Sequence, residues 1–249
     1  MGKRILQRHR GKGGLQYRAP EKGKFAQVRY PFVAPEATVE GKIIEILHER
    51  GRTYPIAKLD LGQEKRFYIP AISGMTVGST IKIGPQANVA TGNVLPLSNI
   101  PEGTAICNIE RYLGDGGRLV RNAGGSAILF ANTPQGSTIR LPSGRTTVLS
   151  PKCRASIGVI SGGGRVEKPF LRAGPRFHLM RAKGKVYPRM RGIAMAVVYH
   201  PFGGGRHQHP GKSTSTSRNA PPGRKVGNIA PRKTGRKRIA RSSETGMQS

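Results

Sequence analysis

Two Gly-Gly-Gly-Arg tetrads, Gly162-Gly163-Gly164-Arg165 and Gly203-Gly204-Gly205-Arg206, are the first residues whose types and spacing suggest chemistry. Without a Cβ, successive backbone N–H groups can lie against a phosphate or a base edge while the arginine forks onto the next phosphate. A flexible linker is the alternative for such a run, and the local excess of basic residues favours anion contact. Arg218-Asn219-Ala220-Pro221-Pro222-Gly223-Arg224-Lys225 has the same character, with two prolines stiffening an extended path between charges. Arg232-Lys233 and Arg236-Lys237-Arg238 follow, with Glu244 the one acid after them.

Other chemistries are served less well. Gly211-Lys212-Ser213 matches the end of a phosphate-binding loop, but that loop needs a glycine at position 206, where arginine stands, and a helix after it, where none is expected. His200, His207 and His209 form a local histidine group, yet no Cys, Asp or Glu lies nearby to complete a tetrahedral metal set. Imidazoles that stack on bases or donate to phosphates are the plainer reading. The acids after residue 110 are Asp115, Glu167 and Glu244, none close in sequence to a histidine and a nucleophile, which argues against a catalytic triad. Cys107 and Cys153 stand too far apart for a zinc pair, form no disulfide framework, and read as reduced buried thiols. No catalytic residue, metal or cofactor is expected, and the chain is not expected to be an enzyme.

The elements that must carry these residues follow from composition. The chain has 249 residues, 43 Lys and Arg against 12 Asp and Glu, and a net charge of +31. Such a chain repels itself, so a polyanionic partner is expected. The charge is unevenly placed: +8 over residues 1–30, −1 over 31–110, +14 over 111–200 and +10 over 201–249. Hydrophobic residues make up 36% of the chain, too few to fill a core along its whole length. The longest strongly apolar run, Ile193 to Tyr199, is far short of the ~18 residues of a membrane span. The first residues are basic with no apolar stretch behind them, unlike a secretory signal.

Residues 38–47, 56–61, 66–70, 80–83 and 104–109 are β-branched or alternating runs separated by Gly, Pro and Asn, which predicts a small barrel of about five strands. Residues 126–131, 137–141, 145–149 and 154–160 repeat the style at hairpin spacing and predict a second small barrel, SH3-like in size. The break falls at Leu113-Gly114-Asp115-Gly116-Gly117, a glycine-rich linker. A short helix is expected around Phe170–Ala182, with Gly174-Pro175 counting against a long one. From Pro201 onward only eight of 49 residues are hydrophobic, so this stretch is expected to be disordered alone and ordered against phosphates. With no pattern for a major-groove helix, irregular RNA is the expected partner in preference to DNA. Rival classes are an RNA-processing enzyme using the histidines or Cys153, and a non-specific nucleoid-compacting protein.

Several longer stretches carry a family likeness. Gly192-Ile193-Ala194-Met195, then His200-Pro201-Phe202-Gly203-Gly204-Gly205, then Ser217-Arg218-Asn219-Ala220-Pro221-Pro222-Gly223-Arg224-Lys225-Val226-Gly227 closely resemble the L-two family of large-subunit ribosomal proteins, in its archaeal or eukaryotic-cytosolic form. Leu95-Pro96-Leu97, Ile100-Pro101-Glu102-Gly103, Leu141-Pro142-Ser143-Gly144, Cys153-Arg154-Ala155-Ser156-Ile157-Gly158, Arg8-His9-Arg10-Gly11-Lys12-Gly13 and Tyr17-Arg18-Ala19-Pro20 are similar too. The resemblance implies a mainly β protein: a basic N-terminal extension (1–34), an OB-like barrel (35–112), an SH3-like barrel plus short helix (113–191), and a glycine-rich histidine loop with a basic C-terminal extension (192–249). It implies a cytoplasmic ribosomal location and no membrane. The implied partners are large-subunit rRNA, neighbouring ribosomal proteins, and the small subunit through an intersubunit bridge, with the histidine loop near the peptidyl transferase centre.

The residues expected to contact RNA are Arg8, Arg10, Lys12, Arg18, Arg154, Arg165, Arg191, His200, Gly203, Gly204, Gly205, Arg206, His207, Lys212, Arg218, Asn219, Arg224, Lys225, Arg232, Lys233 and Arg236. His200 matches the family's prominent histidine. Ala196 and Tyr199 stand where the family usually has Asn and Asp, so His200 is expected to organise RNA and not to transfer protons.

Overall fold

The computed structural model describes residues 2–25, 27–34, 36–62, 66–232 and 234–235. In chain order these form helix α1 (Leu6–Arg10), strands β1 (Val39–Leu47), β2 (Ile56–Asp60), β3 (Arg66–Pro70), β4 (Thr80–Ile83), β5 (Val94–Pro96), β6 (Ala105–Cys107), β7 (Ala127–Thr133), β8 (Gly136–Arg140), β9 (Thr146–Leu149) and β10 (Arg154–Ile157), helix α2 (Ala173–Ala182), and the two-residue strands β11 (Ser215–Thr216) and β12 (Asn228–Ile229). The protein is mainly β. It divides into a central unit, Pro20–Ala182, and a terminal unit that joins Met1–Ala19 to Lys183–Ser249.

All ten strands of the central unit belong to one sheet, in the order β3-β2-β1-β4-β5-β10-β6-β7-β8-β9. Most neighbours are antiparallel hairpin or meander partners; β4 and β5 meet in parallel through Ile83 and Val94. The last strand, β10, inserts between β5 and β6 and so ties the two predicted strand groups together. The two main cores do not divide at the predicted boundary, because Leu95 and Ile106, expected with the first strand group, pack with the second. Ile43, Leu59, Ile69, Ile81 and Ile83 pack on β1–β4, while Leu95, Ile106, Leu129, Ile139 and Ala155 pack on the later strands. The alternation read from the sequence is visible in β7, where Ala127 and Leu129 are buried between exposed Ile128 and Phe130. Strand β5 is absent from the sequence reading. It is three residues long and ends in proline, so its own pattern is weak and its pairing with β10 defines it.

The glycine-rich segment 113–117 is a packed corner. Gly116 and Gly117 are buried with positive φ, and a Cβ on either would strike the Arg29 side chain or Asn108. The Gly116 amide donates to Glu110 Oε1 at 3.2 Å and the Gly117 amide to Asp115 Oδ1 at 3.0 Å. Helix α2 starts three residues later than predicted, which puts Pro175 in its first turn, where the missing N–H leaves no gap in the ladder.

Candidate nucleic-acid interface

The terminal unit is assembled from chain segments nearly 200 residues apart. Ile5, Phe202 and Val226 are buried together, with Ile193 against them. The Lys3 amide donates to the Val198 carbonyl at 2.8 Å, and the Lys3 ammonium lies 5.4 Å from the centre of the Tyr199 ring. Tyr199 therefore has a partner in the N-terminal segment. Strands β11 and β12 run parallel, and the loop between them carries Arg218, Asn219, Arg224 and Lys225. The expectation that the stretch from Pro201 has no fold of its own is thus corrected for its described part. Three apolar side chains far apart in sequence make a core that no local window reveals.

His200 sits on a closed turn. The amides of Tyr199 and His200 both donate to the Ala196 carbonyl, at 3.0 and 3.3 Å, and Gly203 returns to the His200 carbonyl at 2.9 Å. Its Nδ1 accepts the Phe202 amide at 3.1 Å, which leaves the proton of the neutral ring on Nε2. The imidazole lies against Gly192, at a place where any Cβ would collide with it. Burial first, and the neighbouring Arg189 charge second, hold the His200 pKa below the usual histidine value. Arg189 and His200 share a hollow of about 230 Å³ with apolar Ile5, Met195 and Val226.

Electrostatics distinguishes this unit from the rest. Its described residues hold sixteen Lys and Arg and no Asp or Glu. The four ion pairs among the described residues, Arg52–Glu49, Lys58–Glu45, Lys82–Glu40 and Arg154–Glu110, all fall in the central unit. Among the described residues this glycine-rich surface has forked and point cations and no carboxylate to neutralise them, so it can neutralise a polyanion.

Residues 90–224 match the family described as Ribosomal Proteins L2, C-terminal domain. The chain is 48% identical to the large ribosomal subunit protein uL2 of Cenarchaeum symbiosum (strain A), over 96% of this chain and 98% of that one. It is 48% identical to the protein of the same name from Nitrosopumilus maritimus (strain SCM1), over 96% and 98%. The uL2 of Methanothermobacter thermautotrophicus is 47% identical over 96% of this chain and its own full length. The chain belongs to the L2 family of ribosomal proteins.

Within this L2-family fold, Arg8, Arg10, Lys12, Arg18, Arg191, Arg206, His207, Lys212, Arg218, Asn219, Arg224 and Arg232 are exposed on the terminal unit, with Lys225 and His200 half-buried. Lys233 and Arg236 lie outside the described residues. Gly203 differs from its neighbours in the tetrad, because a Cβ there would strike the Met195 and Ala196 carbonyls, while Gly204 and Gly205 are exposed. In the first tetrad Gly163 lies against Gly124 and Arg165 is exposed, both in the central unit. Arg154 is the exception to the predicted surface. It is 8% exposed, donates to both oxygens of buried Glu110 and to the Pro31 carbonyl, and stacks on Tyr30. Its guanidinium belongs to the fold.

The histidines do not gather into a metal centre: among the described residues no three His, Cys, Asp or Glu come together. Lys212-Ser213 leads into β11 and not into a helix, so the phosphate-loop geometry is missing. Both cysteines are free and buried, and burial pushes the Cys107 thiol up to about 12. Among the described residues no helix is long and apolar enough to cross a membrane. The sequence reading missed the Lys3–Tyr199 contact and the Gly192 seat for His200. The Gly192-Ile193-Ala194-Met195 motif was the available signal for the second.

Proposed function

We propose that this chain is a structural constituent of the large ribosomal subunit in the cytoplasm, binding large-subunit rRNA chiefly through its terminal unit. The observation that carries the reading is the set of sixteen cations with no acid among the described residues of this unit, assembled from both ends of the chain around one small core. Lys and Arg neutralise phosphates, Gly204 and Gly205 allow close backbone approach, and His200 presents a fixed Nε2–H donor to RNA without acting as a proton-transfer catalyst. The central unit supplies shape, with an OB-like barrel over residues 35–112 and an SH3-like barrel plus short helix over 113–191. The basic extensions take their final form on RNA, and the histidine loop faces RNA near the peptidyl transferase centre. Neighbouring ribosomal proteins and a bridge to the small subunit complete the partners. The relatives named as large-subunit proteins over nearly their whole length support this assignment.

The test is the salt dependence of binding to cognate large-subunit rRNA. If about half of the sixteen cations among the described residues of the terminal unit each neutralise a phosphate, affinity should fall roughly 10⁴-fold between 50 and 200 mM salt. A flat dependence rejects the electrostatic account. Equal affinity for duplex DNA would favour a compacting protein. Loss of peptide-bond formation by many orders of magnitude in His200→Ala, with assembly intact, would favour catalysis.

A further inference from the structure

Strand β9 ends the ten-stranded sheet. Its neighbour is β8, and among the described residues no strand or bridge lies on its other side. The Leu141 amide donates to the Arg145 carbonyl at 2.8 Å and closes the β8–β9 hairpin. In an antiparallel pair, residues that exchange both backbone bonds alternate with residues that turn theirs outward. Counted from that closure, Ile139 and Thr147 bond to each other, whereas Thr146 and Val148 turn their amides and carbonyls away from β8. Two donors and two acceptors thus line the outer edge of β9. The face beside this edge is apolar. Phe130 and Val148 are 65% and 66% exposed, and exposed Ile128 adjoins them, with half-buried Thr138 between β7 and β9. Exposed Arg140 stands opposite Thr146, and exposed Arg145 precedes it. The sequence holds no acid between Asp115 and Glu167, and neither arginine joins an ion pair among the described residues.

We propose that the edge of β9 is completed in the large subunit by an added strand from a neighbouring protein. The incoming segment is extended, has apolar side chains at alternate positions, and carries a carboxylate that faces Arg140 and Arg145. The inference rests on the reading of this chain as a ribosomal constituent with protein neighbours, and it says where and how one of them docks. Three features together select a strand over RNA. The outward backbone groups alternate donor with acceptor; another strand answers both, whereas a phosphate answers only the donors. An added strand also continues the pleat, so every second side chain of it lies beside Val148 and extends the apolar face begun by Ile128 and Phe130. Phosphates gain nothing from that face. The third feature is charge. Two strand spacings place the added strand about 10 Å from β8, and the residue between them at this level is the small Thr146. A glutamate opposite Thr146 can therefore meet the long Arg140 side chain part-way, with Arg145 beside it. A bare edge next to exposed apolar residues is an aggregation hazard in a free chain, and docking in the assembly covers it.

The test uses the full chain, free and assembled into large subunits. Hydrogen exchange is followed by mass spectrometry at the amides of Thr146 and Val148. Both should exchange readily in the free chain and slow by roughly 100-fold or more in the subunit, as amides entering a stable ladder do. Cys107 and Cys153 are buried, so Val148→Cys supplies one accessible thiol for a benzophenone maleimide. Illumination of subunits carrying it should join position 148 to one protein, within a segment that alternates apolar residues and contains an acid. Adding Arg140→Gln and Arg145→Gln should lower the yield of that product about two- to fivefold, the worth of a cross-strand charge pair. The same pair of changes should leave the salt slope of binding to isolated rRNA as it is in the wild type. Equal exchange at Thr146 and Val148 in the subunit and in the free chain overturns the added strand. So does a crosslink to rRNA accompanied by a salt slope lower by about two contacts, which assigns the face to phosphates. Slow exchange in the free chain that deepens with its concentration gives the edge to a second copy and overturns a foreign strand. Failure of the wild type to enter large subunits overturns the wider reading, and this docking with it.

Discussion

Replacing Arg154 by Met should damage the fold and leave RNA binding almost untouched. Glu110 is fully buried and accepts four hydrogen bonds. Two come from the Arg154 guanidinium, at 3.2 Å from Nε and 2.8 Å from Nη2. The other two come from the amides of Arg154 at 3.0 Å and Gly116 at 3.2 Å. Arg154→Met removes the first two and the compensating charge, while the amides continue to hold the carboxylate in place. Breaking one side of a buried pair costs about 3–5 kcal/mol. For a folded unit of this size each kcal/mol shifts the melting temperature by about 2–4 °C, so the transition should drop by about 6–20 °C. The assay is thermal and urea unfolding of the RNA-free chain at pH 7, followed by far-UV circular dichroism. Glu110→Gln and the double variant close the cycle, and the coupling between the two sites should account for much of the loss. Below the lowered transition, the salt slope of rRNA binding should match the wild type. A stability change under about 1 kcal/mol, together with a slope reduced by about one contact, would refute the assignment and return Arg154 to the RNA surface.

Three further outcomes follow from the same geometry. The His200 ring should titrate below the ordinary value of about 6.5, since burial and Arg189 both disfavour the charged form. The unfolded chain then takes up its proton first, so the terminal unit should be fully stable above that value and lose stability as pH falls through the folded pKa; a midpoint above 6.5 by NMR contradicts this. Gly192→Ala should displace the imidazole, because the new methyl group occupies the ring's position, and should change the His200 ring resonances while leaving the central unit's melting unchanged; unaltered resonances would show that the seat is not needed. Cys107, with its thiol pushed up to about 12, should be only about one part in 10⁴ thiolate at pH 8. Iodoacetamide should therefore modify it only after unfolding, and rapid labelling of the native chain would contradict its burial.

The strands were largely legible because most are β-branched or alternating runs set between turn residues. Residues 66–70 and 80–83 read from the sequence have the bounds of β3 and β4, and the others differ by a few residues at their ends. Strand β5 was not legible, since three residues with a terminal proline carry no period. The insertion of β10 between β5 and β6 was beyond local reading as well, because pairing between distant strands depends on hydrogen bonds that no window contains. The cations of the candidate interface were legible as a class from their unbalanced charge, yet their individual fates were not. Arg154 and Arg165 look alike in sequence, and one is buried on Glu110 while the other is exposed.

Composition and charge spacing alone set the expectation of a polyanionic partner, because an excess of 31 positive charges is not balanced from within. The long motifs determined its family. Only the tertiary structure decided which cations remain available to that partner. It brought Ile5 to Phe202 and Val226, laid Lys3 beside Tyr199, and buried Arg154 against Glu110. The physical reason is that a charge is a property of one residue, whereas its neutralisation depends on which groups the folded chain places within a few ångströms of it.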